Sequence, residues 1–437
     1  MQSAKRWVVA TGATYVAFGL QFITSPLVAR ALGPKDRALL GYLQVLALLL
    51  PVVAAWGVGK ATRFLIGLGA GPAAVRERLL FHLRLSVLIG VPASLLASVI
   101  CFERGPLETV AAFVMVLAGC ATAVRYGIAV VCLTQGRFEW VAFGQVAAAA
   151  VVVLFLVPLW ALGALTLWTA CLAYALSFLV SFGVTDRLSR RLQWDAQDGA
   201  SVTTRDRFRF GLTSLPGDVG EPLINRLDQL LAIPVLGHAL AGSYLVASNW
   251  ALVLYPLFQT VGLRLSVRNT SRVRSSRETG LIVLGCALLG AVLAGWGIAG
   301  FFLIPVIFGA PYKAAAPIAV VLSAAAALAG LLSDLIHRNA QYGRIRTVSL
   351  AVAAGCGCSA VVALANPGGN GVGFATAPLA ATVVAFATFW SSRARRSGHR
   401  AAAAFGSPAE APGALPPGPQ TVPIADEYRA GEPRWPQ

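Results

Sequence analysis

Apolar runs of about twenty residues recur along nearly the whole chain, and this pattern limits the fold more than any other feature. A run of that length crosses the roughly 30 Å hydrocarbon core of a bilayer as a helix. Twelve are readable, at residues 7–28, 39–59, 79–101, 109–133, 141–160, 163–184, 210–236, 239–263, 280–307, 315–337, 347–365 and 372–390. Lipid offers no partner to a free backbone N–H or C=O, so each run folds as a helix and not as a strand. Composition agrees: 57% of residues are hydrophobic, 12% are charged and the mean hydropathy is +0.72, against about 25% charged residues in a soluble domain. The chain reads as an all-α, polytopic membrane protein, and its function belongs to transport, lipid chemistry or anchoring.

Basic residues orient the spans, because Lys and Arg are retained on the cytoplasmic side. Segments on the side of the N terminus hold twenty-seven of them, against five on the other side: Arg30, Lys35, Arg37, Arg104 and Lys313. With an even number of spans, both termini are cytoplasmic and the protein is a multi-pass component of a bacterial inner membrane. The net charge of +17 follows from that topology and from attraction to anionic lipid heads, which leaves nucleic acid no part as a partner. The first apolar run is too long for a signal peptide. All seven cysteines lie in or at the ends of spans, so no disulfide framework is implied. Cys356 and Cys358 have no histidine nearby and read as small packing residues, not as metal ligands.

Local patterns repeat about 205 residues apart. Ala31-Leu32-Gly33-Pro34 and Gly41-Tyr42-Leu43 are matched by Val235-Leu236-Gly237-His238 and Gly242-Ser243-Tyr244-Leu245. Gln135-Gly136-Arg137-Phe138 is matched by Gln341-Tyr342-Gly343-Arg344-Ile345. The repeat predicts two parallel six-helix lobes, residues 1–184 and 210–390, joined by a charged cytoplasmic linker at 185–209. Residues 391–437, with an alanine run and then many prolines, read as a disordered cytoplasmic tail.

Enzyme motifs fail on context. Gly295-Trp296-Gly297-Ile298-Ala299-Gly300 matches the dinucleotide-binding pattern in letters, yet it lies inside an apolar span with no preceding strand. No phosphate-binding Gly-Lys-Ser/Thr motif occurs, and the loops opposite the termini are too short for a soluble catalytic domain. The expectation is a protein without catalytic residues, metal or cofactor.

The chemically unusual segment is the seventh span. At 100° per residue, Asp218, Glu221, Asn225, Asp228 and Gln229 fall within an arc of about 100°, with Pro222 available to kink the helix. Carboxyls at mid-membrane cost about 2.5–3.5 kcal/mol each on insertion scales, so this face lines a wet cavity or finds partners. One reading is a solvated pathway in which Glu221 or Asp228 binds a proton or a sodium ion; the other is a set of structural hydrogen bonds between helices. Arg226, off the stripe, is the nearest cationic partner in sequence. Four further cations at the cytoplasmic ends of spans, Arg63, Arg84, Arg125 and Arg264, have the geometry to hold a pyrophosphate head group, or else snorkel to the lipid heads. Arg125 is the deepest of the four. His82 and Asp334 read as structural.

These residues carry a resemblance. Ala29-Arg30-Ala31-Leu32-Gly33-Pro34 with Gly41-Tyr42 is similar to the first outer loop of polysaccharide flippases of the Wzx type, which belong to the multidrug/oligosaccharidyl-lipid/polysaccharide exporter superfamily. Asn225-Arg226-Leu227-Asp228-Gln229, followed by Leu236-Gly237 and Gly242-Ser243-Tyr244, resembles the seventh span and its outer turn in that family. Phe308-Gly309 with Tyr312-Lys313-Ala314-Ala315, and Ala340-Gln341-Tyr342-Gly343-Arg344, extend the resemblance over residues 5–390. It implies a cavity that opens alternately to either side and moves an undecaprenyl diphosphate-linked oligosaccharide from the inner to the outer leaflet. Glycosyltransferases and a polysaccharide polymerase would be its functional partners. In the seventh span this chain departs from the cationic cavity of such flippases, because carboxylates outnumber arginine there. That departure keeps open a second reading, a proton- or sodium-coupled multidrug exporter.

Overall fold

The structure is a computed structural model, and it describes residues 2–54, 62, 66, 72–192, 219, 220, 222–255, 258, 276–341, 345–366 and 370–405. Eleven α-helices are described: α1 (Gln2–Ala54), α2 (Pro72–Ser98), α3 (Pro106–Ala121), α4 (Ala123–Thr134), α5 (Phe138–Ala161), α6 (Leu167–Ser189), α7 (Leu227–Leu252), α8 (Ser276–Phe308), α9 (Ala315–Gln341), α10 (Ile345–Leu364) and α11 (Gly371–Phe405). Short 3-10 helices, Val99–Arg104 and Ala310–Tyr312, precede α3 and α9.

Ten described segments are long and apolar enough to cross a membrane. Two of them, Val9–Val53 and Pro222–Leu252, contain a residue that no helix accommodates: Gly33 at φ 69°, ψ 175° and Gly237 at φ 72°, ψ 165°. Only glycine enters that backbone region without steric cost. Each of these segments therefore serves two crossings, which brings the ten to the twelve read from the sequence. In α7 the legs fold back on one another, because Asp228 and Gln229 before Gly237 bond to Tyr244 and Ser248 after it.

Gly33 and Gly237 stand 204 residues apart with nearly equal backbone angles. A second pair at the same separation repeats the observation: Gly105 (φ 134°, ψ 169°) and Gly309 (φ 99°, ψ 169°) each adjoin a short 3-10 helix. Two unrelated halves would not share both turns at one spacing, and the backbone carries the internal repeat that the sequence suggests.

The N-terminal half (α1–α6) is built on a core of Leu39, Leu40 and Leu43 from α1 with Met115 and Val116 from α3, Leu156 from α5 and Cys171 from α6. The C-terminal half has its own core, in which Tyr244 and Trp250 of α7 pack with Ile304 and Phe308 of α8, Ile318 and Leu322 of α9, and Phe374 of α11. Ala29 and Ala38 of α1 belong to this second core, and α1 packs along α7 and touches α8. Small residues set the closeness: a Cβ on Gly41 would stand 2.5 Å from Leu245 Cδ1, and one on Gly242 would run into the carbonyl of Pro34. Tyr312 donates to the carbonyl of Ala29 (2.8 Å) and Arg30 to that of Val306 (2.7 Å). Together these contacts form a seam between the halves at the end of the bundle marked by the two glycine turns. In lipid such packing and hydrogen bonding, and not the hydrophobic effect, hold helices together.

Deeper in, Trp250 and Trp296 stack with centroids 4.6 Å apart, and each indole donates to the other's carbonyl, at 3.2 and 2.9 Å. Phe22 of α1 lies 5.4 Å from Trp250, so the N-terminal half also reaches this pair. Large apolar side chains elsewhere, such as Leu88, Leu96 and Val306, point outward, as a lipid-facing surface requires.

Residues Met1–Trp390 form one compact unit and Ser391–Gln437 a second. The boundary coincides with the start of the expected tail, but 391–405 continue α11, where disorder was expected. Alanine and arginine are among the strongest helix formers, and the stretch 393–404 is rich in both. The expected linker likewise begins inside α6, which runs to Ser189.

Candidate functional site

The polar centre of the C-terminal half grows from an interruption in the seventh span. Pro222–Ile224 make a helical turn, Asn225 and Arg226 leave the helix, and α7 restarts at Leu227. A proline next to polar residues explains the break, since the backbone groups it frees need partners that a polar pocket supplies. Asp228 occupies the first turn of the new helix, where the partial positive charge of the helix N terminus favours a carboxylate.

Asp228 is buried, at 2% exposure. Its Oδ2 accepts from the Tyr244 hydroxyl, whereas its Oδ1, also buried, has no hydrogen-bond partner among the described residues. Beside it, Gln229 donates through Nε2 to Ser248 Oγ (2.6 Å) and accepts through Oε1 from Arg226 (3.1 Å). The carboxylate faces a cavity of about 30 Å³ lined by the side chains of Asn225, Ser248 and Thr382 and by small residues of α9, among them Ala325 and Ala326. That space is enough for one water or one bare cation. An unpaired carboxylate oxygen beside hydroxyl and amide groups has the hard oxygen chemistry that a proton or a sodium ion requires. Thr382 is held in place by donating to the Pro378 carbonyl (2.7 Å).

Asn225, Asp228 and Gln229 of the expected stripe, with Arg226, are therefore brought together, while Asp218 and Glu221 lie outside the described residues. Of the four arginines considered for pyrophosphate, Arg63 and Arg264 also lie outside them. Arg84 on α2 is exposed, as a snorkelling side chain would be, and Arg125 on α4 is half-buried and partnered. His82 is buried and partnered, and the Asp334 side chain lies outside the described set.

The structure corrects one assignment. Arg37, counted among the cations of a short loop, is 3% exposed. Helix α1 resumes directly after Gly33, so Arg37 lies within its second leg and turns inward. Its Nη1 reaches Gln44 Oε1 at 3.4 Å, its Nε has no partner, and it makes no ion pair among the described residues. Two tyrosines lie near the guanidinium: Tyr174 of α6 and Tyr312 from the C-terminal half. Burial pushes the Tyr312 hydroxyl up to about 12 against the opposing pull of Arg37, so it stays protonated and donates across the seam. The signal was present in the sequence: Arg37, Leu40, Gln44 and Ala47 follow the spacing of one buried helix face.

With this geometry in hand, the fold was compared with solved structures. It matches an inward-facing multidrug resistance MATE family transporter of the MOP superfamily with a TM-score of 0.56 and 15% identity, over 90% of this chain and 98% of that one. It matches the lipid II flippase MurJ in an inward closed conformation with a TM-score of 0.59 and 14% identity, over 88% of this chain and 87% of that one. No family model matches the sequence, and no curated protein does.

The chain thus has an all-α, multi-pass fold like that of this MATE family transporter and of the lipid II flippase. Both neighbours are transporters or flippases, not enzymes, and they represent a drug exporter and a lipid flippase on one architecture.

Proposed function

We propose that this protein is a flippase that moves a polyprenyl diphosphate-linked oligosaccharide from the inner to the outer leaflet of a bacterial inner membrane, for assembly of a surface polysaccharide. The observation that carries the reading is Arg37, a buried guanidinium whose Nε has no partner and which pairs with no acid among the described residues. An uncompensated buried cation costs several kcal/mol and is retained where an anion arrives to pair with it. A diphosphate matches the guanidinium fork, whereas a cationic drug would be repelled. Likeness to the lipid II flippase fold supports the same substrate class.

The excess of basic residues on one side orients the molecule with the seam outward and both termini in the cytoplasm. With the seam closed, the substrate would enter from the cytoplasmic side, where glycosyltransferases complete the lipid-linked unit. Parting of the halves at the seam would release it outward, toward a polymerase. Asp228 couples the cycle to a proton or sodium ion entering its small cavity; a tenfold ion gradient supplies about 1.4 kcal/mol, and 100 mV of membrane potential about 2.3 kcal/mol per charge. No bond is made or broken in the substrate.

A second reading, a cation-coupled multidrug exporter, is favoured by the unpaired Asp228 carboxylate and by the likeness to the MATE fold. Deleting the gene and locating the lipid-linked glycan separates the two. Complete units trapped on the cytoplasmic leaflet, with surface polymer lost, are the expected outcome. Normal glycan lipids with increased sensitivity to cationic drugs would replace the flippase by the exporter.

A further inference from the structure

The second leg of α7 has two working faces. Gly242 and Leu245, about 60° apart around the helix, face α1 and make the seam with Pro34 and Gly41. Tyr244 and Ser248, about 40° apart and roughly 110° around the helix from that pair, face the first leg and bond Asp228 and Gln229. One turn of helix therefore touches the carboxylate site on one side and the closing contact between the halves on the other. Tyr244 is fully buried, with its ring held edge-on against Phe374 at a centroid distance of 5.0 Å, so it has no room to change rotamer unless its leg moves.

We propose that Tyr244 is a positioning residue that transmits the charge state of Asp228 to the seam. This inference rests on the ion-coupling reading of Asp228 given above. A hydrogen bond from a phenol to an ionised carboxylate is roughly twice as strong as one to a neutral partner. While Oδ1 is unoccupied, the Tyr244 hydroxyl is bound tightly to Oδ2 and fixes the leg against α1. A cation at Oδ1, whether sodium or a proton, draws charge away from Oδ2 and weakens that bond. The leg is then freed to turn, and Gly242 and Leu245 withdraw from Pro34 and Gly41. Small residues at the seam make it responsive, because a contact at backbone distance has no side chain to absorb a shift.

The test is amide hydrogen exchange on the full chain in lipid nanodiscs, read at residues 28–41 and 237–245. Wild type, Asp228→Asn, Tyr244→Phe and the double variant are compared at fixed pH, each in sodium chloride and in choline chloride. Asp228→Asn stands for the neutralised carboxylate, and Tyr244→Phe keeps the ring against Phe374 while removing only the hydroxyl. Asp228→Asn is expected to speed seam exchange at least fivefold in wild type and less than twofold in the Tyr244→Phe background. Multiplying effects in the double variant, or a sodium response of equal size in wild type and Tyr244→Phe, would exclude the role of Tyr244 and leave ion coupling standing. An unchanged seam in Asp228→Asn would remove the inference and the coupling reading together. Should Tyr244→Phe not fold, Phe374→Leu, which frees the ring, takes its place in the same comparison.

Discussion

The two halves use one backbone plan and opposite charges. In the N-terminal half the helical hairpin that turns at Gly33 buries Arg37 beside Gln44 and Tyr174; in the C-terminal half the hairpin that turns at Gly237 buries Asp228 beside Tyr244. Gln44 and Ser248 stand 204 residues apart, the separation of the two glycine turns, and each hydrogen-bonds a polar side chain of its own half. A duplicated frame thus presents, among the described residues, a cation without an acid in one half and an acid with an unpartnered oxygen in the other. The difference teaches that substrate and driving ion need not compete for one pocket: an anionic head group and a coupling cation each have a half that suits them.

The largest expected effect comes from the contact that joins the halves. Gly242→Leu places a side chain into the Pro34 carbonyl; overpacking of this kind costs about 1–3 kcal/mol, enough to shift the balance against the closed seam by roughly five- to 150-fold. Export should be abolished, and exchange of seam amides should rise in protein that still inserts normally. Gly290→Leu, where no atom lies within 4 Å, serves as the control and should export normally.

Arg37 comes next. Arg37→Met should leave the protein as heat-stable as wild type or more so, because removing an uncompensated buried charge is neutral or favourable by about 1–4 kcal/mol, yet transport of the diphosphate-linked substrate should fall at least tenfold. Arg37→Lys, which keeps the charge and loses the fork, should restore little. A sharp loss of thermal stability in Arg37→Met, measured in detergent, would mean that the residue is structural and that the halves do not differ as described.

Asp228→Asn should abolish the dependence of transport on the ion gradient without lowering the amount of inserted protein, as measured by counterflow in vesicles. Substrate exchange without a gradient should persist, because the Arg37 site is intact. Equal loss of both would place substrate and ion in the same pocket and end the comparison.

The smallest effects concern the glycine turns. Gly33→Ala and Gly237→Ala each force alanine into positive φ, at a cost of about 1–2 kcal/mol. A Cβ at either position meets no atom within 4 Å, so backbone strain is the whole cost and the two melting shifts should be alike. Shifts that differ by more than about 1 kcal/mol would show that the turns are equivalent in shape and not in load.

Much of the architecture was legible in the sequence. Apolar length predicts the spans, because a bilayer leaves helix as the only structure that satisfies its own backbone. The Leu-Gly pairs at 32–33 and 236–237 mark both hairpin turns, because glycine alone takes the required φ. Asn225 and Asp228 line one cavity, but Asn225 stands in the break before α7, so the helical period that groups the stripe in the sequence is interrupted within it. Tyr244 was not legible: it lies sixteen residues from Asp228 in an apolar run, and only the fold-back at Gly237 brings its hydroxyl to the carboxylate. Arg37 was misplaced because counting charges assigns a cation near a turn to the loop, and nothing in the count shows which way the side chain points. The helix over 391–405 was missed because the proline-rich segment that follows dominates the composition of the tail.

The sequence by itself determined the solvent and the all-α, multi-pass fold, which follow from local residue chemistry and period. Only the tertiary structure decided which oxygen of Asp228 is left free, that Arg37 is buried without an acid, and that one turn of α7 serves the carboxylate and the seam together. Those are relations between residues far apart in the chain, set by how the hairpins fold back and by how closely glycine lets them meet.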